Sequence, residues 1–300
     1  MGCTSSQSSS SKYADIVVWN RGSNQQEVEQ VADGGVLHWL YDTKIGKFVE
    51  KEVTDTEAFS EAVGEFVRSE LSHHKIKSFV EEFHIDMAPF RDATDTLFKE
   101  YKSFNDWFIR QFKNPSVSRP IAAQTDIMPA FADARYYAYN NIQRDHRMPI
   151  KGKRLGVTQF LRDADAAAPF IGGPMVIARL APVDYHRFHF PDSGVVIEHY
   201  KIDGKLHSVS AIAIGEDPDI LIENERQVTI MATENFGMIA YIEIGATTVG
   251  TIIQEHDMSQ PFQRGACKGW LRGHLISFLV DPWSSLLTKR PVIMAICLSP

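Results

Sequence analysis

Cysteine is scarce in this chain of 300 residues: Cys3, Cys267 and Cys297 are the three present. An odd, widely spaced set excludes a disulfide framework and fits a reducing compartment. Basic charge is in deficit, with 31 Lys and Arg against 38 Asp and Glu, a net charge of −7. No strong basic field exists to neutralise phosphates along a duplex, so no nucleic-acid partner is expected. A membrane-spanning run is also missing. The longest weakly polar stretch, 236–253, holds Glu243 and glycines at 237, 245 and 250 among many β-branched residues. It reads as two buried strands joined at Gly245 rather than a transmembrane helix. Neither a secretory signal nor an Arg-rich amphipathic leader is visible, and there is no internal repeat. Cys-x-x-Cys and His-Glu-x-x-His are absent too, so no metal is expected.

What is there is the composition of a globular protein, 44% hydrophobic and 23% charged, long enough for one large domain or two modest ones. The first residues, Met-Gly-Cys-Thr-Ser-Ser, fit an N-myristoylation pattern at Gly2, with Cys3 beside it as a palmitoylation site. Two acyl chains anchor stably where one does not. Residues 1–13 then form a flexible tether, and the expected location is the cytoplasmic face of a membrane through this acylation, otherwise the cytoplasm.

Residues 14–120 read as mixed and then helical. Strand-like pieces occur at 16–19 and 36–41. Helical spacing follows in Phe59, Val63, Phe66 and Val67, and again in Ile76, Phe79, Val80 and Phe83. Ser103 stands three residues before Asp106, as in a capping box, and opens the stripe Phe104, Trp107, Phe108 and Phe112. Core packing accounts for each stripe; docking on a membrane surface is the minority alternative. After residue 120 the pattern changes to short extended runs at 135–139, 175–180, 195–199, 208–214, 227–232, 238–244 and 249–253. The expected fold is α+β: an N-terminal helical region, then a mostly antiparallel β core over 121–270. Residues 271–300 form a divergent C-terminal segment ending in an apolar run.

The chemistry is concentrated in Asp184-Tyr185-His186-Arg187-Phe188-His189, closed by Pro191 and Gly194. Residues three apart in an extended segment face opposite ways. His186 and His189 therefore share a pocket only if the backbone bends between them. Structural histidines, half a metal site and acid/base chemistry on an apolar substrate are all compatible with the spacing alone.

The wording of that stretch resembles the histidine motif of phosphatidylserine decarboxylases. Lys102-Ser103-Phe104-Asn105-Asp106-Trp107-Phe108 and Ser118-Arg119-Pro120-Ile121 resemble the entrance of the family's domain. Ala132-Asp133-Ala134 resembles its Pro-Ala-Asp-Gly motif, with Phe131 in the Pro position. Asn224-Glu225-Arg226, the glycine-punctuated 236–250 stretch, and Arg264-Gly265 with Lys268-Gly269-Trp270 follow in order. The resemblance covers residues 75–270 and several independent motifs.

It implies a proenzyme. A serine in a Gly-Ser motif attacks the preceding carbonyl, helped by an Asp–His pair that falls here on Asp133 and His189, and becomes a pyruvoyl group. That carbonyl forms a Schiff base with phosphatidylserine and acts as an electron sink, so carbon dioxide leaves and phosphatidylethanolamine results. His186 would contribute to the pocket. The implied partners are phosphatidylserine and a phospholipid membrane.

The family's Gly-Ser pair is not present after Trp270. Ser277 is nearest the expected place, but Ile276 precedes it; Ser284 and Ser285 follow Trp283. Glycine matters because backbone self-attack needs a closely approached peptide. Two other readings therefore stand beside decarboxylation of phosphatidylserine. One is an inactive or truncated member that binds lipid at a membrane. The other is a decarboxylase of a free aromatic amino acid.

Overall fold

A computed structural model describes residues 17–28, 64–91, 98–142, 156–207, 219–246 and 251–272, and the backbone of 292–298. Gly2, Cys3, Ser277 and the expected strands at 36–41 and 208–214 lie outside these residues or, for the last, wholly within an undescribed gap.

A hairpin comes first. Strand β1 (Val17–Asn20) pairs antiparallel with β2 (Gln25–Val28), and Asn20 closes the turn by accepting from the Gly22 amide at 2.7 Å. The helical region follows. Helix α1 (Lys75–Glu82) buries Ile76, Phe79 and Val80 along one face. Helix α2 (Phe104–Phe108) starts where Ser103 Oγ accepts from the Asp106 amide at 3.2 Å, satisfying an N–H that the helix itself leaves open. Phe79 meets Phe104 and Trp107 edge-on, at centroid distances of 5.3 and 5.4 Å. Each such ring contributes roughly 1.5–3 kcal/mol by leaving water. The short helix α3 (Pro115–Ser118) then carries the chain toward the β region.

The β region is a layered sandwich. A six-stranded sheet has the order β3 (Arg135–Tyr139), β4 (Met175–Leu180), β11 (Val292–Leu298), β8 (Gly237–Ile244), β7 (Arg226–Thr233), β6 (Gly194–Ile202). A three-stranded sheet has the order β5 (Arg187–His189), β10 (Cys267–Arg272), β9 (Thr251–Gln254). Strand β8 shows the logic: Ile239 and Tyr241 face the small sheet, whereas Ala240, Ile242 and Ile244 face the opposite layer. That two-residue alternation is the pleat acting on an apolar sequence. The opposite layer contains α4 (Val157–Leu161) and α5 (Ala164–Ala167), with α6 (Ile220–Glu223) before β7.

The architecture is α+β with a β-rich core, and most sheet pairings are antiparallel. Three details differ from the sequence reading. Strand β11 runs parallel to both β4 and β8 and sits between them. The extended pattern after residue 120 is interrupted by α4 and α5, helices of five and four residues, too short to give a visible helical period. The two strands meeting near Gly245 belong to different sheets, β8 to the large one and β9 to the small one.

Candidate functional site

Two segments converge on β5. On one edge, β10 pairs with it in the register Cys267 to His189 and Trp270 to Arg187, with an irregularity between Cys267 and Gly269. On the other edge, Ala132 bridges Phe188, and the His189 amide donates to the Phe131 carbonyl at 2.7 Å. The Ala132-Asp133 segment and the histidine motif are thus joined by backbone bonds. Tyr136 Oη fixes the turn that holds Asp133, accepting from the Ala132 amide at 2.9 Å.

Two glycines allow this approach. Gly265 adopts φ +78°, in the region that favours glycine, and a Cβ there would lie 1.8 Å from Ile121 Cδ1. A Cβ on Gly269 would lie 2.1 Å from the Ile253 carbonyl oxygen and 2.8 Å from the Phe188 ring. Both motifs therefore have a packing cause: Gly265 makes room for Ile121, and Gly269 lets β10 lie between β5 and β9.

His189 lines a cleft of about 620 Å³ with Arg119, Tyr185, Arg187, Glu255 and Cys267. Its Nδ1 is 3.0 Å from the Gly265 carbonyl oxygen, so this nitrogen carries the proton and donates. Nε2 keeps its lone pair, and it is buried with no hydrogen-bond partner among the described residues. Burial, and next the nearby Arg119 charge, pull the His189 pKa down to about 3. The ring is neutral at physiological pH, with Nε2 as its hydrogen-bond acceptor, and the same burial disfavours its protonated form.

Asp133 faces Arg119, whose Nε lies 3.3 Å from Oδ1 while its terminal nitrogen donates to the Ala130 carbonyl at 2.7 Å. Partial withdrawal from water pushes the Asp133 pKa up, and the Arg119 guanidinium opposes that rise. Asp133 and His189 occupy adjoining segments, but neither hydrogen-bonds the other: the carboxylate is held by Arg119 and the imidazole by Gly265.

His186 points elsewhere. It is 1% exposed, stacks on Phe108 at 3.6 Å between centroids, and places Nδ1 2.8 Å from the Asp184 carbonyl oxygen. Burial, then the Arg110 charge, lower its pKa well below the ordinary histidine value. The two histidines thus have different ring partners, His186 stacking on Phe108 and His189 on Tyr185. Asp184 closes the preceding turn by accepting from the Ala181 amide at 2.6 Å and pairing with Arg135. Among the described residues, no group of three His, Cys, Asp or Glu is placed to hold a metal ion.

Sequence reading did not single out Arg119, Arg187, Glu255 and Gly265 as site residues. Arg187 lies inside the histidine motif, donates to the Ile109 carbonyl at 3.0 Å, and pairs with Glu255 at 3.1 Å. The cleft-lining Cys267 thiol is pushed up to about 12, first by burial and then by Glu255, which keeps it protonated and a poor nucleophile.

Comparison with known proteins decides the family. The family model for phosphatidylserine decarboxylase matches residues 104–283. The chain belongs to this family. A phosphatidylserine decarboxylase proenzyme of Ruminiclostridium cellulolyticum is 37% identical over 257 residues, covering 86% of this chain and 84% of that protein. Proenzymes of the same name from Clostridium botulinum (strain Alaska E43) and Clostridium perfringens (strain SM101) are 36% and 37% identical, each covering 86% of this chain and 85% of the relative. The family match runs past Trp270, where the recognisable motifs end, into the segment containing Ser277. No helix among the described residues is long and apolar enough to cross a membrane.

Proposed function

We propose that the chain is a proenzyme-type phosphatidylserine decarboxylase, in which His189 is the base for self-processing and Asp133 an electrostatic partner in the same site. One observation carries the assignment of roles: a buried, neutral imidazole of a cleft-lining residue, whose Nε2 has no hydrogen-bond partner among the described residues. Such an atom takes a serine hydroxyl proton as Oγ attacks the preceding carbonyl. The new Oγ–C bond forms as the peptide C–N bond breaks, and the proton passes to the serine's own amine. The ester then loses its carboxylate by β-elimination, which parts the chain, and the dehydroalanine left behind takes up water and releases ammonia to leave the carbonyl. Gly265 fixes the tautomer. Asp133 stabilises the cation on His189 through the local field, although Arg119 offsets part of that charge.

The pyruvoyl dependence of the family fits the same cleft, because an orphaned buried acceptor is the group that processing and later proton transfer require. The pyruvoyl carbonyl supplies an electron sink for loss of carbon dioxide. Tyr185, Arg187 and His189 bound the space where a serine headgroup would sit, and their burial excludes water from it. Ser277 is the nearest candidate for the processed serine.

A membrane partner follows from the substrate. Val117, Ile121 and Ile127, 71%, 38% and 48% exposed, occur in and just after the 115–121 stretch that walls the cleft. Apolar side chains at a lipid enzyme's mouth suit contact with a bilayer. Acylation at Gly2 and Cys3 would hold the protein on the cytoplasmic face.

The test is release of carbon dioxide from carboxyl-labelled phosphatidylserine, measured for the chain and for Ile276→Gly, which creates a Gly-Ser pair. The variant is expected to gain self-cleavage and decarboxylation, and His189→Ala in that background to lose both. A folded Ile276→Gly chain that neither cleaves nor decarboxylates would overturn the Ser277 assignment.

A further inference from the structure

The cleft contains three arginines, and two of them are neutralised. Arg119 is held by Asp133 at 3.3 Å and Arg187 by Glu255 at 3.1 Å. The third, Arg91, has no carboxylate partner among the described residues; Nη1 donates to the neutral Gln111 side chain at 2.9 Å. Its backbone is fixed from three directions. The Arg91 amide donates to the Gln111 carbonyl at 2.6 Å, Tyr101 Oη donates to the Arg91 carbonyl at 2.6 Å, and Phe90 stacks on Phe112 at 4.6 Å. A pinned backbone with an unneutralised guanidinium is a preorganised anion site.

Its surroundings in the cleft say which anion. Arg91 is exposed, whereas Arg187 and His189 are 7% and 8% exposed. The same cleft is therefore lined by a solvent-exposed cation and a buried, unpartnered imidazole, and Phe112, Pro115, Pro120 and Ile121 add apolar lining. A ligand matching this lining has a small amine-bearing head, an anionic link, and apolar chains.

We infer that Arg91, oriented by Gln111, binds the phosphodiester of the substrate and is a specificity-determining residue that selects a phospholipid over a free amino acid. The inference rests on the decarboxylase reading and names the part of the substrate that the reading leaves open. A free amino acid presents no phosphodiester to Arg91, so the residue discriminates by what it leaves unpaired as well as by what it binds.

The experiment is calorimetric titration of the full-length chain and of Arg91→Gln and Arg91→Lys with three ligands: monomeric dihexanoylphosphatidylserine, free serine and inorganic phosphate. Arg91 is exposed and held by backbone bonds, so both variants should keep the fold; an unchanged Tm checks this. Removing a charge-assisted pair should weaken phospholipid binding by about tenfold or more. Arg91→Lys should fall between wild type and Arg91→Gln, and serine binding should not change. If Arg91→Gln binds the phospholipid as tightly as wild type, or loses serine equally, the role of Arg91 is overturned while the decarboxylase reading stands. If inorganic phosphate binds as tightly as the phospholipid, Arg91 is a bare anion site and the headgroup assignment fails. If the wild-type chain binds neither phospholipid nor serine, both readings fail together.

Discussion

His189 donates from Nδ1 to the carbonyl oxygen of Gly265 across 3.0 Å, and this bond decides which ring nitrogen can act as a base. A carbonyl can only accept, so the proton stays on Nδ1 and Nε2 keeps its lone pair, without a hydrogen-bond partner among the described residues. Gly265 offers its carbonyl there because φ +78° is open to glycine. Gly265→Ala should strain the turn and drive its Cβ toward Ile121, 1.8 Å away before relaxation. The expected cost is about 1–3 kcal/mol of stability. Urea unfolding checks it, and a variant as stable as wild type would show that the turn relaxes freely.

Self-cleavage, where it occurs, should depend on Nε2 and less steeply on Asp133. His189→Ala removes the base and should abolish cleavage. Asp133→Asn keeps the shape and removes a charge already offset by Arg119 at 3.3 Å, so it should slow cleavage without stopping it. Fragment yield over time in the Ile276→Gly background measures both. Unimpaired cleavage by His189→Ala would remove His189 from the base role.

Acid should destabilise this fold through its buried histidines. The His189 pKa is about 3 in the folded chain, against an ordinary value of 6.5. Between those values the unfolded chain binds more protons, so stability rises with pH across that window. The contribution is complete above pH 6.5 and is lost as pH falls toward 3. His186, also lowered, acts in the same sense, whereas the raised pKa of Asp133 acts in the opposite one. His189→Gln should flatten the fall of Tm between about pH 6.5 and 4, on the order of a few kcal/mol at most. A Tm profile identical to wild type would show that burial does not hold His189 neutral.

Between the two sheets, Lys268 Nζ lies 2.6 Å from Glu243 Oε1 and 2.9 Å from Gln254 Oε1, and both charged side chains are fully buried. Burial pulls the lysine pKa down and pushes the glutamate up, while their mutual attraction opposes both shifts. Lys268→Met should cost about 3–5 kcal/mol because Glu243 is left buried and uncompensated. The double change Glu243→Leu with Lys268→Met should cost much less, since apolar side chains of similar volume often replace buried pairs with little loss. Chemical denaturation of the single and double variants measures the coupling. Additive losses would show that the two side chains do not act as a pair.

Much of the sheet was legible before any coordinates. The runs at 135–139 and 175–180 match β3 and β4, because alternation and β-branched content act over five or six residues. Strand β5 was not visible as an element: three residues carry no period, and its existence depends on Cys267 and Ala132 arriving from far along the chain. Parallel pairing of β11 leaves no local mark either, since an apolar run reads alike in either direction. At the site, motif wording pointed to Asp133 and His189, and backbone bonds bring their segments together. Gly265 as acceptor, Arg119 as the partner of Asp133, and the stacking of buried His186 on Phe108 arise from tertiary approach, which no spacing rule encodes.

Self-attack needs the serine and the preceding carbonyl in a tight, strained backbone turn, and a Cβ on the preceding residue narrows the accessible conformations. Here Ile276 precedes Ser277, and β-branching restricts that position further. With His189 as the proposed base, the backbone around the nucleophile is the limiting part. The purified chain should therefore remain one species near 33.8 kDa under denaturing mass analysis, with no adduct from a carbonyl-reactive probe. Ile276→Gly should split into two fragments, with the probe on the smaller. Two labelled fragments from the unaltered chain would overturn the argument from glycine, and the mass of the smaller would identify the serine used.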